Sequence, residues 1–229
     1  MKIKNLKRKY ANYYINLEKS KLYPSEYLVR IFLSNRNKQR FNFPQFKNKK
    51  FLDLSCGDGR NLKFFYDLKF KLYATEISNK IINEIRKSIK CKMILKVGTN
   101  SKLPFKDNFF DFIVSSHSCY YIDNKDNLKK NLIEIRRIMK KGSFFIGTIP
   151  STGNYYFTKS IQIRKHHYII KNDHLNLRNN YVLAGFKNKK DLSIELSELF
   201  KVVDIGTLNN NYFGIKEKMF IFILKKWGK

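Results

Sequence analysis

The stretch FLDLSCGDGRN, Phe51 to Asn61, decides how the rest of the chain is read. Phe51 to Ser55 has the apolar character of a buried strand and carries one carboxylate, Asp53. Gly57 and Gly59 then form a turn where the backbone can approach a ligand closely, because neither residue has a Cβ. Asn61 to Leu68 continues as a helix. Strand, glycine turn and helix in this order are one unit of a parallel sheet with its crossover.

The same alternation extends in both directions from residue 50 onward. Strands are expected at Leu72 to Thr75, Met93 to Val97, Phe110 to Ser115 and Ser143 to Ile149. Between them lie helices at Ser78 to Ile89, with Ile81, Ile82 and Ile85 on one face, and at Leu128 to Met139, stopped by Lys140-Lys141-Gly142. Parallel strands need crossovers and the crossovers cover the sheet, so the fold class is α/β: a doubly wound, mostly parallel sheet with helices on both faces. Toward the carboxyl end a helix at Leu192 to Leu199 precedes strands at Phe200 to Ile205 and Met219 to Leu224, which the Asn-rich stretch Asn209 to Gly214 joins as an antiparallel pair. Residues 1–49 look mainly helical, and residues 151–190 show no clear period. Both are candidates for a lid or acceptor surface over the carboxyl edge of the sheet, where open α/β sheets bind ligands. A single domain is expected, with 1–49 as a helical lid, 50–150 as the cofactor-binding core, 151–190 as a substrate-side insertion and 191–229 as the closing helix and strand pair.

The 229 residues are 43% hydrophobic and 15% aromatic against 28% charged, outside the compositions that remain disordered. Lys and Arg number 47 and Asp and Glu 18, a net charge of +29 that attracts phosphates, acidic glycans and anionic lipid faces. The abundance of Lys, Asn, Ile, Tyr and Phe, with little Ala, also matches the output of an AT-rich coding sequence. The excess is uneven: residues 1–50 hold fourteen basic side chains against two acids, and residues 151–190 eight against one. Three cysteines, Cys56, Cys91 and Cys119, include no CxxC pair, which suggests neither a disulfide framework nor a zinc knuckle. MKIKNLKRKY is basic but has no apolar run after it, and Met219 to Leu224 is too short to cross a bilayer. A cytoplasmic protein is expected, and no motif specifies an oligomeric state.

Electrostatics around the turn select the ligand. Glu76, at the end of the next strand in LYATEIS, lies about 20 residues beyond the glycine turn, the distance at which an acid binds ribose hydroxyls. A dinucleotide fingerprint would require a third glycine where Leu62 stands, and would bring a pyrophosphate toward Asp53 and Asp58, which repel it. S-adenosylmethionine makes the opposite demand, because its sulfonium and ammonium are cationic.

These residues resemble the class I S-adenosylmethionine-dependent methyltransferases, in particular the small-molecule methyltransferase-like group. Asp53 to Gly59 looks like the family's first motif and Glu76 like its ribose-binding acid. Leu103-Pro104-Phe105 with Phe109-Phe110-Asp111 resembles the "LPF…FD" passage into the fourth strand, and EIRRIMKKG, Glu134 to Gly142, the helix and turn before the fifth. The resemblance implies a seven-stranded Rossmann-like sheet with an antiparallel carboxyl-terminal strand, and S-adenosyl-L-methionine as cofactor. It further implies a cofactor site made by Asp53, Ser55, Cys56, Gly57, Gly59, Asn61, Glu76, Ile77, Thr99, Asn100, Ser115 and Ser116. Two positions depart from the pattern: Ser55 replaces the first glycine of the turn, and Thr99 stands where an Asp commonly holds the adenine amino group. Weaker cofactor binding is the expected consequence.

Methyl transfer from a sulfonium needs alignment and exclusion of water, and neither a metal nor a covalent nucleophile. For an oxygen acceptor His117, just after the fourth strand, is the candidate general base. Tyr120, Tyr121, His166 and His167 are candidates for the acceptor site, with Tyr10, Tyr13, Tyr14 and Tyr23 as lid residues. His166, His167 and His174 with Asp173 are too few and too closely spaced for a metal site, so no metal is expected. The leading reading is methylation of an oxygen or nitrogen of a small molecule or glycan precursor. RNA or tRNA methylation is the alternative suggested by the charge, although no RNA-binding module and no Asn/Asp-Pro-Pro-Tyr/Phe motif is present. A cofactor-binding protein with a degenerate, non-catalytic site is the third.

Overall fold

In a computed structural model, residues 3–16, 23–123 and 126–228 are described; the parts of the expected lid at residues 1, 2 and 17–22 lie outside that description. Helices α1 (Ile3–Asn16), α2 (Glu26–Leu33) and α3 (Asn35–Phe41) precede β1 (Lys50–Asp53). The chain continues through α4 (Leu62–Asp67), β2 (Lys71–Glu76), α5 (Asn79–Ser88), β3 (Met93–Val97), β4 (Phe110–Ser115) and β5 (Tyr121–Ile122). It then runs through α6 (Leu128–Ile138), β6 (Met139–Pro150), β7 (Ile161–Arg164), β8 (His167–Ile169) and β9 (Val182–Ala184). Helix α7 (Lys189–Ser197) and the strands β10 (Lys201–Tyr212) and β11 (Ile215–Lys225) complete it.

Seven strands form the main sheet in the order β10-β11-β6-β4-β1-β2-β3. All neighbours from β6 to β3 are parallel, while β11 runs antiparallel to both β6 and β10. This is the Rossmann-like arrangement expected. The chain builds β1, β2 and β3 outward and then returns to lay β4 on the other side of β1, so the sheet has a switch point between β1 and β4. A crevice opens at the carboxyl ends of strands at such a point.

Helix positions follow from capping and apolar spacing. Ser78 accepts the Ile81 N–H at the start of α5, and Ile81, Ile82 and Ile85 are buried on the sheet. Asn127 and Asn188 cap α6 and α7 through Lys130 N–H and Asp191 N–H. One face of the sheet carries an unusual density of phenylalanine. Phe32 of α2 has ring centroids of Phe43, Phe46, Phe51, Phe65, Phe70 and Phe112 between 5.1 and 6.3 Å away. The segment from Tyr27 to Phe46 is therefore part of the core, and of the three amino-terminal helices α1 is the one whose side chains, with Ser25, line the cleft.

Three regions differ from the expectation. Helix α6 runs directly into β6 four residues before the expected strand start, because Met139 pairs with Phe110 and the Lys140 ammonium reaches both Asp111 carboxylate oxygens at 2.8 and 2.9 Å. Strands β10 and β11 extend through the Asn-rich stretch to a two-residue turn, Phe213-Gly214, whose φ values of 51° and 88° suit a tight primed hairpin. Residues 151–190, without visible period, contain β7, β8 and β9, which join β5 in a small second sheet ordered β5-β9-β8-β7. Strands of two to four residues are too short for alternation to show in the sequence.

Candidate active site

The crevice at the switch point is a cleft of about 430 Å³. Its floor is the turn after β1. Leu54 N–H donates to Val114 O at 2.8 Å and Cys56 N–H to Thr75 O at 3.0 Å, so the turn is pinned to β4 on one side and β2 on the other. Ser55 adopts φ 54°, the left-handed backbone for which a glycine is the less strained choice. Its N–H donates to Thr75 Oγ1 at 3.2 Å and its hydroxyl to Asn100 Oδ1 at 3.3 Å, two local bonds that hold the conformation. Gly57, with φ 62°, has no room for a side chain: a Cβ there would lie 2.7 Å from the Tyr14 hydroxyl of α1.

Two buried carboxylates stand beside this turn. Glu76, only 4% exposed, accepts Gly57 N–H on Oε1 at 2.6 Å and Ile77 N–H on Oε2 at 3.0 Å. Burial raises its pKa to about 7, against the pull of the two backbone donors. Asp53 is 1% exposed and, among the described residues, neither of its carboxylate oxygens has a hydrogen-bond partner. Burial, with the nearby charges of Glu76 and Asp58, pushes it to about 8. A buried carboxylate with no partner is costly, and it lines a cleft. The site suits a ligand bringing positive charge or hydrogen-bond donors, and it is hostile to a diphosphate.

The other end of the cleft is aromatic and polar. His117 sits at φ 60°, its N–H donating to Thr148 Oγ1 at 2.9 Å and its Nδ1 lying 3.8 Å from Glu217 Oε1. Burial lowers its pKa, which keeps the imidazole neutral near pH 7 and able to accept a proton. Tyr121, Tyr156, Tyr181 and Arg178 face the same space, with Tyr10, Tyr13 and Tyr14 of α1 across it.

The structure brings Asp53, Ser55, Cys56, Gly57, Asn61, Glu76, Ile77, Asn100, Ser116, His117 and Tyr121 to this cleft. Six expected site residues lie elsewhere. Gly59 faces α5, where a Cβ would come 2.4 Å from Ile89 Cδ1, so its role is helix packing. Thr99 is tied into a bridge with Lys102 through two backbone bonds. Ser115 is buried, its oxygen accepting Cys119 N–H and contacting Ser118 Oγ. Tyr120 belongs to the core, fully buried. His166 stacks on Phe186 with ring centroids 4.3 Å apart. His167 accepts Leu128 N–H on Nε2 at 3.2 Å, and its Nδ1 lies 2.7 Å from Lys165 O, which occupies both nitrogens in fixing the start of α6.

Asp123, Tyr156, Tyr181, Arg178 and Glu217 were not singled out from the sequence. Only Glu217 carried a signal: it shares a strand face with buried Met219, two residues on, and an acid on the inward face of a strand is unusual.

Comparison with known proteins agrees with this geometry. Residues 52–147 match the family model described as a methyltransferase domain. That segment is a class I S-adenosylmethionine-dependent methyltransferase domain, and S-adenosylmethionine is the cofactor that goes with it. A sterol 4-C-methyltransferase of Caenorhabditis elegans is 32% identical over 107 residues, covering 44% of this chain and 30% of that protein. The aligned part spans about a third of the length of the curated relatives. Among solved structures, an S-adenosylmethionine-dependent methyltransferase of Methanosarcina mazei superposes with a TM-score of 0.65 at 18% identity, over 82% of this chain and 96% of its own. A 1,6-didemethyltoxoflavin N1-methyltransferase of Burkholderia thailandensis, solved with its acceptor and S-adenosylhomocysteine, gives 0.59 at 14% identity, over 80% and 72%. Identities this low concern the fold alone. Among the described residues no helix is long and apolar enough to cross a membrane.

Proposed function

We propose that the cleft binds S-adenosylmethionine and directs its methyl group to an oxygen or nitrogen of a small molecule or glycan precursor. The observation that carries this reading is the unpartnered, buried carboxylate of Asp53 next to Glu76 at a glycine turn. When bound, the cofactor supplies a methyl group already activated by a positive sulfur. The chain's own residues then bind, orient and exclude water.

Each Glu76 oxygen accepts one backbone donor and keeps further lone pairs for ribose hydroxyls. Asp53 offers its free oxygens to the cationic amino acid end. Ser55, Cys56, Gly57, Asn61, Ile77, Asn100 and Ser116 line the walls around the cofactor, and Tyr10, Tyr13 and Tyr14 of α1 close over it. Residues 151–190 supply the acceptor side. His117, held neutral by burial, takes the proton of an oxygen or nitrogen nucleophile.

Glu76→Ala tests the binding assignment. It removes the ribose contacts and leaves Gly57 N–H without its acceptor, so calorimetry should record a loss of about 1–3 kcal/mol in S-adenosylmethionine affinity. Unchanged affinity would refute the role given to Glu76. RNA methylation is the second reading, favoured by the charge of +29, and it would be recognised by binding that falls steeply with added salt.

A further inference from the structure

The end of the cleft away from the glycine turn is organised around one arginine. Arg178 lies between β8 and β9 and its side chain is only 12% exposed. Its Nη1 reaches Asp173 Oδ1 at 2.8 Å, its Nε donates to the Tyr121 hydroxyl at 2.8 Å, and its guanidinium carbon sits 4.5 Å from the centre of the Tyr156 ring. Asp173 is itself fully buried, and its second oxygen accepts the backbone N–H groups of Leu177 and Arg178 at 2.9 and 3.1 Å. One oxygen of this aspartate thus holds the guanidinium and the other fixes the backbone that carries it.

Counting donors and acceptors shows what is left over. Nε and Nη1 of Arg178 are engaged, while its Nη2 edge donates to no group among the described residues. Tyr10 and Tyr121 place their hydroxyl oxygens 2.8 Å apart, and Tyr121 already receives the Arg178 Nε–H. Whichever phenol donates to the other, one hydroxyl proton of the pair has no acceptor. The carboxylates on this side are engaged: Asp123 receives the Tyr181 hydroxyl at 2.5 Å, and Glu217 lies beside His117 and takes the Asn210 amide at 3.3 Å. Surplus donors, one of them on a guanidinium, stand among the rings of Tyr156 and Tyr181. Such a surface recognises an anionic oxygen on a flat, apolar body.

We propose that the acceptor of this site carries a carboxylate on an aromatic or similarly planar framework, held by Arg178 Nη2 and the spare Tyr10/Tyr121 hydroxyl proton, so that Arg178 determines acceptor specificity. The proposal rests on the reading that the other end of the cleft takes the cofactor. That reading is tested separately in the same experiment, because S-adenosylhomocysteine is titrated first.

With the full chain saturated in S-adenosylhomocysteine, 4-hydroxybenzoate and its cationic counterpart 4-hydroxybenzylamine are titrated by calorimetry into the wild type, Arg178→Gln and Arg178→Lys. The acid should bind at least tenfold tighter than the amine, and Arg178→Gln should lose tenfold or more of the acid affinity while S-adenosylhomocysteine affinity stays within twofold. Arg178→Lys, which keeps a cation beside Asp173 and removes the free Nη2 edge, should weaken the acid about three- to tenfold. It decides the matter should Arg178→Gln, which strands the buried Asp173, fail to fold. Equal or preferred binding of the amine overturns the proposal. So does acid affinity that neither variant changes, or failure of both probes on protein that holds S-adenosylhomocysteine. Failure to bind S-adenosylhomocysteine itself counts against the cofactor reading, and acid binding that persists without it and falls in the variants still supports the anion site.

Discussion

Asp53→Asn is expected to stabilise the cofactor-free protein at pH 8 while weakening its hold on S-adenosylmethionine. Burial raises the Asp53 carboxyl from 3.8 to about 8, so between those values the folded protein keeps a proton that the unfolded chain has released. The unfolded state binds fewer protons throughout that window, and stability must fall as the pH rises through it. Glu76, raised from 4.5 to about 7, contributes with the same sign. The asparagine removes the Asp53 contribution at the cost of a buried amide with few partners, leaving a net gain of about 2–3 kcal/mol at pH 8 that turns into a loss of about the same size near pH 4, where the Asp53 contribution is gone and the amide cost remains. Urea unfolding of both proteins at the two pH values measures it. The same substitution removes the charge that faces the cofactor's cationic end, and affinity should drop tenfold or more, about 1.4 kcal/mol. A residue whose replacement improves folding and impairs binding is held for function. Wild-type protein that is the more stable at pH 8 would show that the carboxylate has a partner when the cleft is empty.

Phe32→Ala carries the largest expected loss of stability. The ring is completely buried among six other phenylalanine rings contributed by the segment before β1, by β1, α4 and β4, and by the loop before β2. Truncation leaves a cavity that neighbours fixed in strands cannot close, at about 4 kcal/mol. Denaturant titration should show the midpoint falling with little change in slope. A loss below about 1 kcal/mol would mean that α2 is a detachable cover and no part of the core.

The parts of this architecture that could be read in the sequence are those governed by local periodicity. The bounds of β3 and β4 coincide with the apolar runs Met93 to Val97 and Phe110 to Ser115: β4 is a buried parallel strand, which consists of little else, and β3 is the half-exposed edge strand whose run reflects strand-forming residues. The glycine turn and Glu76 were legible for a different reason: their spacing reflects the length of one strand, one helix and the next strand. Tertiary context hid the rest. Ser55 occupies a left-handed position where glycine was expected, which only its bonds to Thr75 and Asn100 explain. Thr99 follows β3 and Ser115 is the last residue of β4, yet backbone bridging and a buried hydroxyl pair turn them away from the cleft. The acceptor end is assembled from Arg178 and Tyr181, in an irregular loop with no period to announce its facing, and from Glu217, far along the chain on β11. His166 and His167 drew notice as a histidine pair, and both prove to be packing residues of the small sheet.

The central claim is that a buried acidic pair at a glycine turn selects a cationic sulfur cofactor over a nucleotide diphosphate. Parallel calorimetric titrations with S-adenosylmethionine and with NAD⁺ test it most directly. Saturable binding of S-adenosylmethionine, with no detectable heat from NAD⁺ at the same concentrations, is the result predicted. Binding of NAD⁺ with equal or greater affinity, or silence from both ligands at millimolar concentration, would contradict it.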